Sequence, residues 1–180
     1  MTDPYPPIAR WVIPEAAREA TLWGLRRAGQ QGREGGALWL GARAQEARVL
    51  TVATAVGDGV LERRGSWSLS PAAYARIGEW AFRTGRVLLA LIHSHSGTGT
   101  YATSLSPTDA FSTVQVPDFL SIVVGQGGAE SDATAWGFHV FESARFRRLG
   151  HAEAAERIVW VPGTIEHLRF DANAVDDACA

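Results

Sequence analysis

The chain has almost no cysteine. Its one thiol, Cys179, is next to the last of 180 residues. That excludes a disulfide framework and a cysteine-based zinc site. Excess charge of one sign is missing too: 17 basic against 19 acidic residues leave a net charge of −2. This balance gives no support for a nucleic-acid-binding surface, so no nucleic-acid partner is expected. No apolar run approaches the ~18 residues of a membrane span, and no signal peptide is recognisable. The expectation is a soluble, cytoplasmic protein without a membrane partner. Internal repeats and long low-complexity segments are also absent.

What remains is an ordinary globular balance, 46% hydrophobic and 20% charged. The length predicts one domain over 1–180, large enough to bury a real core. The seven tryptophans are expected mostly in that core, with some available for a peptide-binding surface.

One stretch organises the rest. The apolar run Val87-Leu88-Leu89-Ala90-Leu91-Ile92 delivers His93-Ser94-His95. A loop rich in Gly, Ser and Thr follows (96–104), and then Ser106-Pro107-Thr108-Asp109, which reads as a helix start. In a strand, residues i and i+2 share a face, so His93 and His95 can meet one ion. A catalytic zinc takes three protein ligands, often two His and a carboxylate, and keeps a fourth position for water. Asp109 is the natural third ligand. Taken alone, Ser-Pro-Thr-Asp is better explained as an N-cap, with Pro at the first helical position and an acid at N3. The two motifs together, after a buried-strand pattern, predict a zinc hydrolase.

Along the chain, 1–7 reads as a loose lead-in and Trp11-Val12-Ile13 as a short strand. Pro14-Glu15 opens a helix with an apolar stripe at Ala17, Ala20, Leu22, Leu25 and Ala28; Arg18, Arg26 and Arg27 are its solvated positions, and 29–32 ends it. Glu34 stands directly before a strand that begins Gly35-Gly36 and ends at Gly41. Glycine in a strand often marks close approach of another backbone. A strand over 48–56 follows. The turn Gly57-Asp58-Gly59 predicts a hairpin with 60–64 returning from it. Residues 66–70 lead into a second helix capped by Ser70 and Pro71, with Tyr74, Ile77, Trp80 and Ala81 buried. Residues 119–124 form a strand, Gly127-Gly128 a flexible break, and 136–141 with 145–149 two late strands. A short helix (152–157), an apolar edge strand (158–161) and a frayed acidic tail (171–180) complete the pattern. It predicts a mixed α/β domain, a mixed β-sheet covered by helices.

Several of these stretches resemble the JAMM (MPN+, JAB domain) zinc metallopeptidases in their prokaryotic branch. That signature is an upstream Glu, His-x-His, a loop and Ser-x-x-Asp, here Glu34, His93-Ser94-His95 and Ser106-Pro107-Thr108-Asp109. The Gly-rich strand after Glu34 and the helix from Ile13-Pro14 also match, so the resemblance covers a core of about 10–150. Four ordered matches are far more specific than His-x-His alone. The chain departs from the family at Ser96, where Pro is usual, and in a loop from His95 to Ser106 that is a few residues longer. Neither change removes a ligand, and loop insertions cost little.

The resemblance implies a JAB/MPN-type, cytidine-deaminase-like fold. It implies Zn2+ held by His93, His95 and Asp109, with Glu34 as general base and Ser106 as oxyanion donor. Only the resemblance brings Glu34 to the metal. Glu46, Glu62 and Glu79 match it in residue type alone, and His139, His151 and His167 do not look like ligands. The implied activity is cleavage of peptide or isopeptide bonds after the C-terminus of a ubiquitin-like protein. Implied partners are that protein or its conjugate, with E1-like and E2-like proteins of a bacterial conjugation or antiphage system. Alternatives are a zinc hydrolase of a small amide or sulfur-carrier conjugate, a non-catalytic MPN scaffold, and a DNA-linked role that the charge disfavours.

Overall fold

The computed structural model of the protein describes residues 6–57 and 59–171. Most of the expected lead-in, Asp58 of the turn and the tail from 172 onward lie outside them. In chain order the elements are β1 (Arg10–Pro14), α1 (Glu15–Gly29), β2 (Gly36–Ala42), β3 (Glu46–Val56), β4 (Val60–Arg63), β5 (Ser66–Leu69), α2 (Pro71–Arg83) and β6 (Val87–Ser94). Then come α3 (Gly99–Ala102), α4 (Pro107–Ser112), β7 (Leu120–Val124), β8 (Gly137–Glu142), β9 (Arg145–Arg148), α5 (His151–Arg157), β10 (Ile158–Val161) and β11 (Glu166–Asp171).

The expected mixed sheet forms, in the order β10-β1-β3-β2-β6-β7-β8-β9, with β11 also pairing with β3. β6 lies in its middle, antiparallel to β2 and parallel to β7. Because β2 and β6 are buried on both faces, they read as continuous apolar runs. Trp39 and Ile92 face a core with Trp11, Leu22 and Leu25. Leu38 and Leu91 face a second core with Trp67, Leu69, Ile77 and Ala81. One face is thus covered by α1 and the other by α2 with the β4–β5 hairpin. Ser70 caps α2 as expected, its Oγ accepting from Ala73 N at 3.1 Å.

Several expectations are corrected. β4 does not return along β3. Both edges of β3 are taken, by β2 on one side and by β1 and β11 on the other, so β4 pairs with β5 instead. Residues 66–69 are therefore a strand and not a helix lead-in. The 96–104 loop contains the short α3. Trp80 is half-buried, with the Arg86 guanidinium stacked over its ring. Gly127-Gly128 is not a flexible break: it belongs to a 3-10 turn packed on α1, where a Cβ on Gly29 would fall 2.1 Å from Gly127 O. Arg18, Arg26 and Arg27 are half-buried, and Arg27 pairs with Glu62. β11 was not anticipated.

Candidate metal centre

Two parallel neighbours in one sheet need a crossover between them. The crossover from β6 to β7 carries α3 and α4, so it begins at the histidines and contains Asp109. This is the carboxyl end of a strand, where open α/β sheets place their ligand sites. His93 shares the face of Leu91 at the end of β6, and His95 lies two residues on. Their rings meet edge to face with centroids 4.9 Å apart.

The three expected ligands converge. His93 Nε2 and His95 Nε2 are 3.1 Å apart, and Asp109 Oδ2 is 3.5 and 3.4 Å from them. Zinc bonds of ~2.0–2.2 Å at tetrahedral angles place ligand atoms about 3.3–3.6 Å apart. Both edges to Asp109 fall in that range and the His–His edge, at 3.1 Å, lies just below it, so the triangle suits a small divalent ion. Among the described residues this is the cluster able to hold one.

Asp109 is a helix cap as well as a candidate ligand. Ser106 Oγ accepts from Asp109 N at 3.1 Å, and Asp109 Oδ2 accepts from Ser106 N at 3.0 Å, a reciprocal capping box. The two readings of Ser-Pro-Thr-Asp are thus compatible: the cap aims the carboxylate. Burial pushes the Asp109 carboxyl up, but hydrogen bonds from both imidazoles and from Ser106 outweigh it and hold it well below the usual range. The His95 imidazole is raised, first by its hydrogen bond to Asp109.

Glu34 reaches the same place through sheet register. Gly36 pairs with His93 on antiparallel β2 and β6, so the start of β2 meets the end of β6. One step on, Ser94 N donates to Gly35 O at 3.0 Å, and Ser94 Oγ accepts from Gly35 N at 3.0 Å. Glu34 N donates to Arg63 O at 2.9 Å, which ties the residue to the hairpin as well. The residue is 6% exposed, and its Oε2 has no hydrogen-bond partner. Burial pushes its pKa up to about 7, opposed by His95 and assisted by Asp109.

Gly35 has the reason anticipated, since a Cβ there would fall 3.0 Å from Leu25 Cα and 3.1 Å from Gly24 O; at Gly36 the close neighbour is a side chain instead. A Cβ on Gly36 would fall 2.2 Å from the Trp67 ring, and one on Gly35 would fall 2.9 Å from Ala28 Cβ. Sequence reading missed the part played by Ser94. It faces away from the ligands, and it is the anchor for the Glu34 segment. The only signal was its alternation with the two histidines.

The remaining acids and histidines lie elsewhere. Glu46 pairs with Arg48, Glu62 with Arg27, and Glu79 is exposed on α2. His139 is buried in β8 against Ser121 O at 3.3 Å, His151 opens α5, and His167 Nε2 lies 3.0 Å from Thr54 Oγ1.

Two openings flank the cluster and share no lining residue. A cleft of about 370 Å³ runs from His93 and Asp109 past Trp67, Leu69 and Tyr74. A smaller pocket of about 150 Å³ is lined by Glu34 and Ser96. An apolar cavity of about 410 Å³ between β8 and α5 contains none of the candidate residues.

Comparison with known proteins adds to this geometry. No family model matches the chain. A protein of Sinorhizobium fredii named "Probable metalloprotease y4jG" is 36% identical over 107 residues, 56% of this chain. That relative is named a metalloprotease, and the His93-His95-Asp109 cluster of this chain is a donor set able to hold a metal ion. The chain spans 61% of that relative's length. A Desulfitobacterium hafniense protein solved in solution shares the fold, with a TM-score of 0.58 at 14% identity over 85% of this chain and 94% of that one. A JAB1/MPN domain protein from Archaeoglobus fulgidus overlaps 87% of this chain and 98% of its own at 12% identity, with a TM-score of 0.42, too low to fix the fold by itself. No described helix is long and apolar enough to cross a membrane.

Proposed function

We propose that this chain is a single JAMM/MPN+ domain and a zinc-dependent metallopeptidase. Its substrates are peptide or isopeptide bonds after the C-terminus of a ubiquitin-like protein. Its setting is a bacterial ubiquitin-like conjugation or antiphage system with E1-like and E2-like partners, in the cytoplasm. The observation that carries the reading is the triangle of His93 Nε2, His95 Nε2 and Asp109 Oδ2, with edges of 3.1–3.5 Å, beside a buried Glu34 whose Oε2 has no hydrogen-bond partner. Two imidazoles and a carboxylate are a zinc donor set.

When bound, zinc supplies Lewis acidity, lowering the pKa of water to about 7 and polarising the scissile carbonyl. Glu34 takes the proton from the attacking water and returns it to the leaving amine. Ser106 Oγ accepts from Asp109 N, which leaves its own proton free to donate to the developing oxyanion. Among the described residues β5 pairs with β4 alone, so its other edge is free beside the cleft. An extended C-terminal tail adds there as a strand, with main-chain hydrogen bonds supplying affinity.

The test is zinc content and cleavage of a ubiquitin-like fusion on the same samples. Wild type and Glu34→Gln each hold about one zinc, His95→Ala holds little, and only wild type cuts. Wild type that takes up no zinc when supplied overturns the reading, as does full activity in Glu34→Gln.

A further inference from the structure

The pocket beside Glu34 differs from the cleft in chemistry as well as size. At about 150 Å³ it has less than half the cleft's volume of about 370 Å³. Its walls include Gly29, Gly32, Gly65 and Gly127; three of these have positive φ (66°, 82° and 62° for Gly32, Gly65 and Gly127), where side chains are strained. Its polar lining residues are Arg33, Arg64, Ser96 and Glu34, the sole acid among them.

Neither guanidinium is committed to that carboxylate, whose Oε2 has no hydrogen-bond partner. Arg33 lies 3.9 Å from Glu62, which is already bonded by Arg27. Arg64 is exposed at the hairpin turn, and among the described residues no acid pairs with it. Guanidinium groups match carboxylates in shape and charge. The Ser96 hydroxyl adds a donor at the position where the family usually has proline.

We propose that this pocket reads a free carboxylate on the leaving-group side of the scissile bond, so that the residue released is a small amino acid. The proposal rests on the peptidase reading above. Glu34 must hand its proton to the leaving amine, so that amine lies on the Glu34 side of the metal. The acyl side then lies along the cleft that contains His93 and Asp109 but not Glu34. The bond broken is the amide C–N; water supplies the hydroxyl to the acyl carbon and the proton to the amine.

The test uses two acetylated peptides ending Gly-Gly-Ala, identical except for a free carboxylate or a carboxamide at alanine. Wild type prefers the carboxylate by about tenfold or more in kcat/KM. Arg64→Ala reduces that preference to within about twofold, and Arg64→Lys, with its charge but no fork, retains part of it. Independently of turnover, free alanine shifts the Gly65, Ser96 and Gly127 amide resonances of wild type, whereas alaninamide does not. Equal cleavage of the two peptides, or equal shifts with the two ligands, overturns the proposal alone. Zinc-loaded protein that cuts neither peptide overturns the peptidase reading and the subsite with it.

Discussion

Ser94 and Gly35 hold each other twice, through Ser94 N to Gly35 O and through Gly35 N to Ser94 Oγ, each at 3.0 Å. This pair joins the strand that ends in the histidines to the segment that begins with Glu34. Ser94→Ala would leave the buried Gly35 N–H without its side-chain acceptor, at a cost of about 1–3 kcal/mol. It is expected to keep stoichiometric metal and to lower kcat more than it raises KM. Denaturant unfolding, metal analysis and steady-state kinetics on one preparation check this.

Ser106 has two roles that can be separated. Ser106→Ala removes the cap of α4, worth about 1 kcal/mol, and the proposed oxyanion donor, worth about 10²–10³ in kcat. Ser106→Thr keeps a hydroxyl able to cap and to donate. Recovery of both stability and rate in the threonine variant is expected; recovery of stability alone would remove the oxyanion role.

Gly36→Ala tests the closeness of the hairpin. The added methyl would fall 2.2 Å from the buried Trp67 ring. Overpacking of this kind costs about 1–3 kcal/mol. Since Glu34 is two residues upstream, kcat falls as well. Trimming Trp67 to Leu in the same chain restores part of the lost stability, read from the unfolding midpoint.

His139 gives the stability of the fold a dependence on pH. Burial, then the charges of Arg148 and His93, push its imidazole down to about 4 from an ordinary 6.5, against the Ser121 and Gly137 backbones. Between these values the unfolded chain binds a proton that the native state refuses. Stability is therefore full above pH 6.5 and falls as pH drops towards about 4, by on the order of 3 kcal/mol. His139→Leu flattens the stability profile over that window in urea titrations.

The sequence was most informative where local chemistry decided the outcome. The cap at Ser70, the strand delivering His93 and the Ser106–Asp109 helix start follow from short-range rules, and the structure has them. The Asp109 cap and the Asp109 candidate ligand turned out to be one arrangement. What the residues alone did not reveal was set by sheet order. Val60 to Arg63 had no free ladder on β3, a fact that depends on β1 and β11 far along the chain. Glu34 gained its place from the pairing of Gly36 with His93, 57 residues away in number and adjacent in register. Gly127 and Gly128 look like a break because their partners, Gly29 and Leu25, lie on a distant helix.

β11 pairs with β3 in parallel from Glu166↔Thr51 through Asp171↔Val56. Without it that half of β3 would present a bare row of amides and carbonyls beside Val52, Ala53 and Ala55. Such an edge templates association with other chains. The last described strand is thus a guard against self-association, and a version of the protein cut before residue 166 would lose solubility before it lost the metal-ligand cluster.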